Sequence, residues 1–192
     1  MAHDQLRAAF ALPATGTAVL AIDLQERFLG AIPDLAADQP CGRHARLLLT
    51  GACLLGVPAV FSEQYPKGLG PTLPWLAAAH PQAPRLAKTH FSVPDDPGLR
   101  AHLAGLGRRT LVLCGVEAHV CVLASAADLL AAGHAVVVAG DAVASRSAAN
   151  RDSALAALRD LGALVLPTES ILFRLQRQAG GETFKALSQL VK

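Results

Sequence analysis

An α/β domain on a parallel sheet is the architecture that this sequence predicts, and three observations predict it. Short continuous apolar runs recur along the chain, as strands covered on both faces require. Stretches with helical spacing separate them, so strand and helix alternate. Glycines and prolines mark most of the joins.

Met1–Gly16 reads as a short helix and lead-in. Thr17–Asp23, TAVLAID, is the first strand and ends in an acid. Gly42–Leu55 carries leucines at helical spacing, and Gly56 followed by Pro58 stops the helix. Val57–Phe61 is the second strand. Ser62–Pro84 holds five prolines and reads as an irregular loop with one helical turn near Trp75–Ala79. A loop this long in a compact domain is often functional. Arg85–Lys88 is a third short strand. Asp95 and Asp96 precede Pro97 and cap a helix that runs through Leu103. Thr110–Cys114 is the fourth strand and Ala118–Ala131 the helix after it. Ala135–Ala139 is the fifth strand, with Asp141 beyond its end. Ser147–Leu161 is helical, Ala163–Leu166 is the sixth strand, and helices near Ser170–Gln176 and Glu182–Leu190 close the chain.

No linker or repeat divides residues 1–192, and a chain of this length suits one domain. Hydrophobic residues make up 52% and charged residues 17%, which excludes a disordered chain. Aromatics are only 4%, so Ala, Leu and Val must build the core. A net charge of +2, with no basic run, gives no nucleic-acid surface. No apolar run reaches membrane-spanning length, and no signal-peptide pattern opens the chain. The four cysteines form no Cys-x-x-Cys pair and no zinc spacing with histidine. A reduced, cytoplasmic protein is expected.

In open parallel sheets, ligands bind beyond the carboxyl ends of the strands. Asp23, Lys88 and the Gly115–Cys121 turn all fall there. Cys121 sits in the first turn of a helix, where the positive end of the helix dipole favours a thiolate, the nucleophilic form. It could equally be a small buried hydrophobe. Asp23 suits a general base with a pKa raised by partial burial, or a mere helix cap. Lys88 at a strand end could hold a neighbouring thiolate and carboxylate, or simply face solvent.

Taken in order, IDLQERF (Ile22–Phe28), AKTHFS (Ala87–Ser92), LCGVEAHVCV (Leu113–Val122) and GDAVASRS (Gly140–Ser147) resemble the isochorismatase-like cysteine hydrolases from Thr17 onward. The resemblance implies a Rossmann-like three-layer fold. Its six-stranded parallel sheet would have order 3-2-1-4-5-6, flanked by helices. It also implies an Asp–Lys–Cys triad, which falls on Asp23, Lys88 and Cys121. It further implies a cis peptide at Val116–Glu117, with the backbone amides of Glu117 and Cys121 forming an oxyanion hole, and homo-oligomers. The alanine- and leucine-rich stretches Ala124–Ala132 and Ala154–Leu161 offer apolar surface for such assembly.

Two activities within that family fit poorly. Its nicotinamidases resemble one another in an Asp-x-His metal motif after the second strand. Here FSEQYPKGLGPTLPW (Phe61–Trp75) contains no histidine, so no metal and no cofactor are expected. True isochorismatases lack the cysteine. The loop instead resembles the isochorismatase domain-containing hydrolases. Glu63, Gln64 and Tyr65 should border the pocket, and Phe28 and Trp75 could wall it. His119 reads as a solvent-facing or capping residue, or as a pocket contact. Cys53 and Cys114 lie in apolar runs and read as packing residues. The expected activity is hydrolysis of a small amide or related carbon–nitrogen bond through a Cys121 thioester. The rival readings are a non-catalytic binding or scaffold protein on the same fold and a vinyl ether hydrolase. A nucleotide-binding doubly wound domain is weaker, because no glycine-rich turn follows the first strand.

Overall fold

The structure, a computed structural model, describes residues 10–192. Six parallel strands form one sheet in the order β3-β2-β1-β4-β5-β6. They are β1 (Thr17–Ile22), β2 (Ala59–Gln64), β3 (Arg85–Lys88), β4 (Thr110–Val116), β5 (Ala135–Ala144) and β6 (Leu164–Leu166). The helices are α1 (Pro40–Leu54), the single turns α2 (Pro66–Leu69) and α3 (Pro74–Ala77), α4 (Pro97–Leu106), α5 (Leu123–Ala131), α6 (Ala148–Asp160), α7 (Thr168–Gln176) and α8 (Gly181–Leu190).

The continuous apolar runs have the consequence expected of them. Every residue of β1 and β4 is buried, because successive side chains point to opposite faces and both faces are covered. Val19 and Ala21 join Val112 and Cys114 in a core closed by α1, α7 and α8. Ala18, Leu20 and Ile22 join Leu111 and Leu113 in a second core under α4, α5 and α6. Three layers result, helices on sheet on helices.

Several expected boundaries move. The N-terminal helix falls, through residue 9, outside the described residues, and Ala14–Gly16 is one 3₁₀ turn. β2 continues three residues past Phe61, because β3 pairs with it as far as Gln64 opposite Lys88. The following loop holds two helical turns, each opened by a proline at its first position. β5 runs on to Ala144, so Asp141 lies within the strand. Its carboxylate there accepts hydrogen bonds from the backbone amide and hydroxyl of Thr168 at the start of α7. A register shift between Leu113 and Gly115 carries β5 past its expected end. Cys114 is buried, but Cys53 is exposed at the end of α1 and does not pack in the core. No helix among the described residues is long and apolar enough to cross a membrane.

Candidate active site

The carboxyl ends of β1, β3 and β4 bring Asp23, Lys88 and Cys121 together. Asp23 follows β1 with φ of 54°, a left-handed conformation that aspartate tolerates better than most residues. The turn breaks the strand's alternation and delivers the carboxylate to the face that carries Cys121. Its own amide stays tied to the Ser62 carbonyl at 3.1 Å.

Asp23 and Lys88 form a fully buried ion pair, Nζ donating to Oδ2 at 2.8 Å with neither side chain exposed. Such a pair survives burial only when its remaining polar sites are also satisfied. Here they are. The Ser62 hydroxyl donates to Asp23 Oδ1 at 2.7 Å. Lys88 Nζ also donates to Gln64 Oε1 at 2.6 Å and to the carbonyl of His90 at 3.2 Å. Gln64 is in turn held by Gln25, whose Oε1 accepts from the Gln64 amide at 2.8 Å and whose Nε2 donates to the Gln64 carbonyl at 3.0 Å.

Cys121 completes the cluster. It is 5% exposed, and its titration feels both the Asp23 and the Lys88 charge. Burial, then the Asp23 charge, pushes its thiol up to about 12, against the opposing pull of Lys88. The thiolate expected from the helix N-terminus is therefore not the resting form. Low dielectric and a neighbouring carboxylate outweigh the dipole, and the chain enters the helix through a wide π turn, Ala118–Val122. Burial also raises the Asp23 carboxyl above its ordinary range, although Lys88 pulls it down.

The approach to Cys121 is shaped by backbone. Gly115 has φ of 123°, and a Cβ there would lie 2.0 Å from the Ile22 carbonyl oxygen, so only glycine fits. The Val116–Glu117 peptide is cis. The Glu117 carboxylate is 9% exposed and pairs with Arg146, accepting from its backbone amide at 2.9 Å and from its Nε at 3.0 Å. That pair joins the LCGVEAHVCV stretch to GDAVASRS across the end of the sheet.

The other residues expected at the pocket have these surroundings. Glu63 points to the opposite face from Ser62 and Gln64, by strand alternation, and its carboxylate accepts from the amide and hydroxyl of Thr72. It ties down the loop. Tyr65 is 55% exposed, its ring lying over Gly68. Phe28 and Trp75 are half-buried against the α1-side core, not the one containing Cys121. His119 is half-buried, with Nδ1 3.0 Å from the Ser145 hydroxyl and Nε2 3.3 Å from Asn150 Nδ2. Ser62, Gln25 and Arg146 went unread in the sequence. Gln25 and Arg146 lie inside the two motifs that flank the site, which is the one signal that could have singled them out. No cluster of three His, Cys, Asp or Glu side chains that could hold a metal occurs among the described residues.

Comparison with known proteins supports this reading of the chain. A family model described as the isochorismatase domain matches residues 17–170. Isochorismatase domain-containing protein 2A of Mus musculus is 39% identical over 171 residues, which are 88% of this chain and 80% of that protein. MAR1 ribonuclease from Caenorhabditis elegans superposes with a TM-score of 0.84 at 34% identity, over 93% of this chain and 91% of its own. The YcaC gene product of Escherichia coli, described as an octameric hydrolase of unknown specificity, superposes with a TM-score of 0.86 at 25% identity, over 93% and 88%. A six-stranded sheet of order 3-2-1-4-5-6, ordered motifs along it and a family match over most of its length identify this chain as a member of the isochorismatase family of hydrolases.

Proposed function

We propose that the protein is a cysteine hydrolase that cleaves a small amide or related carbon–nitrogen bond through a thioester on Cys121. The observation that carries the reading is the buried Asp23–Lys88 pair set against a nearly buried thiol. A carboxylate made more basic by burial is suited to take the thiol proton as sulfur attacks the substrate carbonyl. Lys88 holds that carboxylate in place and offsets the charge that moves onto sulfur. The backbone amides of Glu117 and Cys121 receive the developing oxyanion, each donor worth about 3 kcal/mol of barrier. Asp23 passes its proton to the leaving nitrogen as the carbon–nitrogen bond breaks. It then takes a proton from water, which attacks the thioester and releases the acid and the free thiol. No step uses a metal or cofactor.

A reducing, cytoplasmic setting suits a hydrolase that works through a free thiol. The octamer described for the Escherichia coli neighbour, with exposed Phe91 and Leu161 here, favours a homo-oligomer.

A screen of amides, imides, ureas and carbamates, with one RNA oligonucleotide added in view of the MAR1 similarity, tests the activity. A substrate should leave an acyl mass on the Cys121 peptide, and Cys121→Ala should lose both adduct and turnover, by roughly a thousandfold or more. Turnover retained in that variant, or release of nucleotides alone, would replace this mechanism with another.

A further inference from the structure

β1 stops two residues short of its neighbour β2. Their pairing runs from Val19 opposite Ala59 to Ile22 opposite Ser62, whereas β2 continues to Gln64. The Asp23 amide still reaches the Ser62 carbonyl at 3.1 Å. Asp23 then turns away with its left-handed φ, and its carbonyl accepts from the Gln25 amide at 2.8 Å. On the other side β2 stays paired with β3, where the Tyr65 amide donates to the Lys88 carbonyl at 2.8 Å. The Gln64 amide and carbonyl therefore face a place in the sheet that β1 has left. Backbone groups in such a place need partners.

The side chain of Gln25 fills that place. Its Oε1 accepts from the Gln64 amide at 2.8 Å and its Nε2 donates to the Gln64 carbonyl at 3.0 Å. One carboxamide thus supplies the acceptor and the donor that a further residue of β1 would supply from its backbone. Gln25 is wholly buried, and its Nε2 also donates to the Gly70 carbonyl at 2.6 Å. The effect reaches the ion pair through Gln64. An ammonium has three protons to place. Lys88 Nζ directs one to Asp23 Oδ2 at 2.8 Å, one to Gln64 Oε1 at 2.6 Å, and the third toward the carbonyls of His90 and Phe91 at 3.2 and 3.4 Å. A displaced Gln64 would leave one proton of a buried ammonium without its acceptor.

From these contacts we infer that Gln25 is a positioning residue of the site: its carboxamide replaces a missing strand residue, fixes Gln64, and through the Gln64 side chain aims Lys88 at Asp23. What Lys88 is aimed to do rests on the hydrolase reading. How firmly it is aimed is measured on the ammonium itself, so a lack of turnover bears on that reading and not on this one.

The full chain labelled with ¹⁵N-lysine provides the test. Lys67, Lys185 and Lys192 are exposed and Lys88 is 2% exposed, so at pH 7 the Lys88 ammonium is the one that keeps its protons long enough to give an ¹H–¹⁵Nζ signal. Exchange of those protons with water should be at least about tenfold faster in Gln25→Met, which can neither donate nor accept as the carboxamide does. Gln25→Asn, one methylene shorter, should speed it less, and carries the comparison if Gln25→Met fails to fold. In a Gln64→Met background, where exchange is already fast, adding either change should alter it by less than about twofold, because the connection through Gln64 is gone. Asp96→Ala, which loosens the start of α4, should leave the wild-type rate. An equal acceleration in both backgrounds would make Gln25 a general brace of the sheet and overturn the proposal. An unchanged rate in both Gln25 variants, or a wild type with no Lys88 signal, overturns it too.

Discussion

On the Asp23 carboxylate three demands meet: it is wholly buried, it is paired with Lys88, and it must accept a proton during the proposed reaction. Its hydrogen bond from Ser62 lowers its affinity for that proton. Ser62→Ala should therefore raise the Asp23 pKa further and move the acid limb of the pH–kcat/KM profile to higher pH, with little change at the plateau. An unmoved limb would mean that another group governs it. Lys88→Met strands a buried carboxylate and should cost about 3–5 kcal/mol in urea unfolding. Adding Asp23→Asn should recover part of that loss, the mark of a coupled pair. With its thiol pushed up to about 12, Cys121 should react with iodoacetamide at a rate that climbs tenfold per pH unit from pH 7 to 10. A plateau in that range, read by peptide mass spectrometry, would show a thiolate already formed at rest.

Among the elements, β4 is the most constrained. Its last turn passes so close to β1 that a methyl group at Gly115 would overlap the Ile22 carbonyl. Gly115→Ala should destabilise the domain by about 3 kcal/mol or more, because both the left-handed φ and the contact must relax. The motif glycine was plain in the sequence, but the reason for it was not, since the constraint comes from a strand more than ninety residues away in the chain. The helix caps were more legible. Asp96 accepts from the amides of Gly98 and Leu99, as a residue of that type before a proline should. Asp96→Ala should lower stability by about 1 kcal/mol, checked by the same unfolding curves. The ends of β2 and β5 were misread because their last residues are polar or small, and it is pairing with the neighbouring strand that makes them sheet.

For the molecule as a whole, the buried thiols set a pH limit. Cys114 and Cys121 are both pushed up to about 12 by burial, from an ordinary value of 9.0. A group whose pKa is raised on folding stabilises the fold while protonated in both states. That stabilisation is lost as pH rises from the unfolded value toward the folded one. As pH rises from 9 toward 12 each thiol should take away stability progressively. Urea midpoints should fall steeply above pH 9, and Cys114→Ala should flatten that fall. An unchanged slope in the variant would show that Cys114 does not titrate in this range. Any assembly of copies adds to stability as concentration rises, so these curves need one protein concentration throughout.

By itself the sequence determined the layering and the number and order of the strands, though not the ends of β2 and β5. Apolar runs with no polar alternation must be covered on both faces, and an α/β order with helices between parallel strands follows from local pattern. The ordered motifs also named the acid, the lysine and the cysteine. Tertiary structure alone decided their state and their company. Ser62 and Gln64 face the site and Glu63 turns away because strand pairing sets which side each takes. The Cys121 thiol stays protonated because burial and a neighbouring carboxylate outweigh a helix dipole. Desolvation and charge proximity depend on residues far apart in the chain, and no local pattern records them.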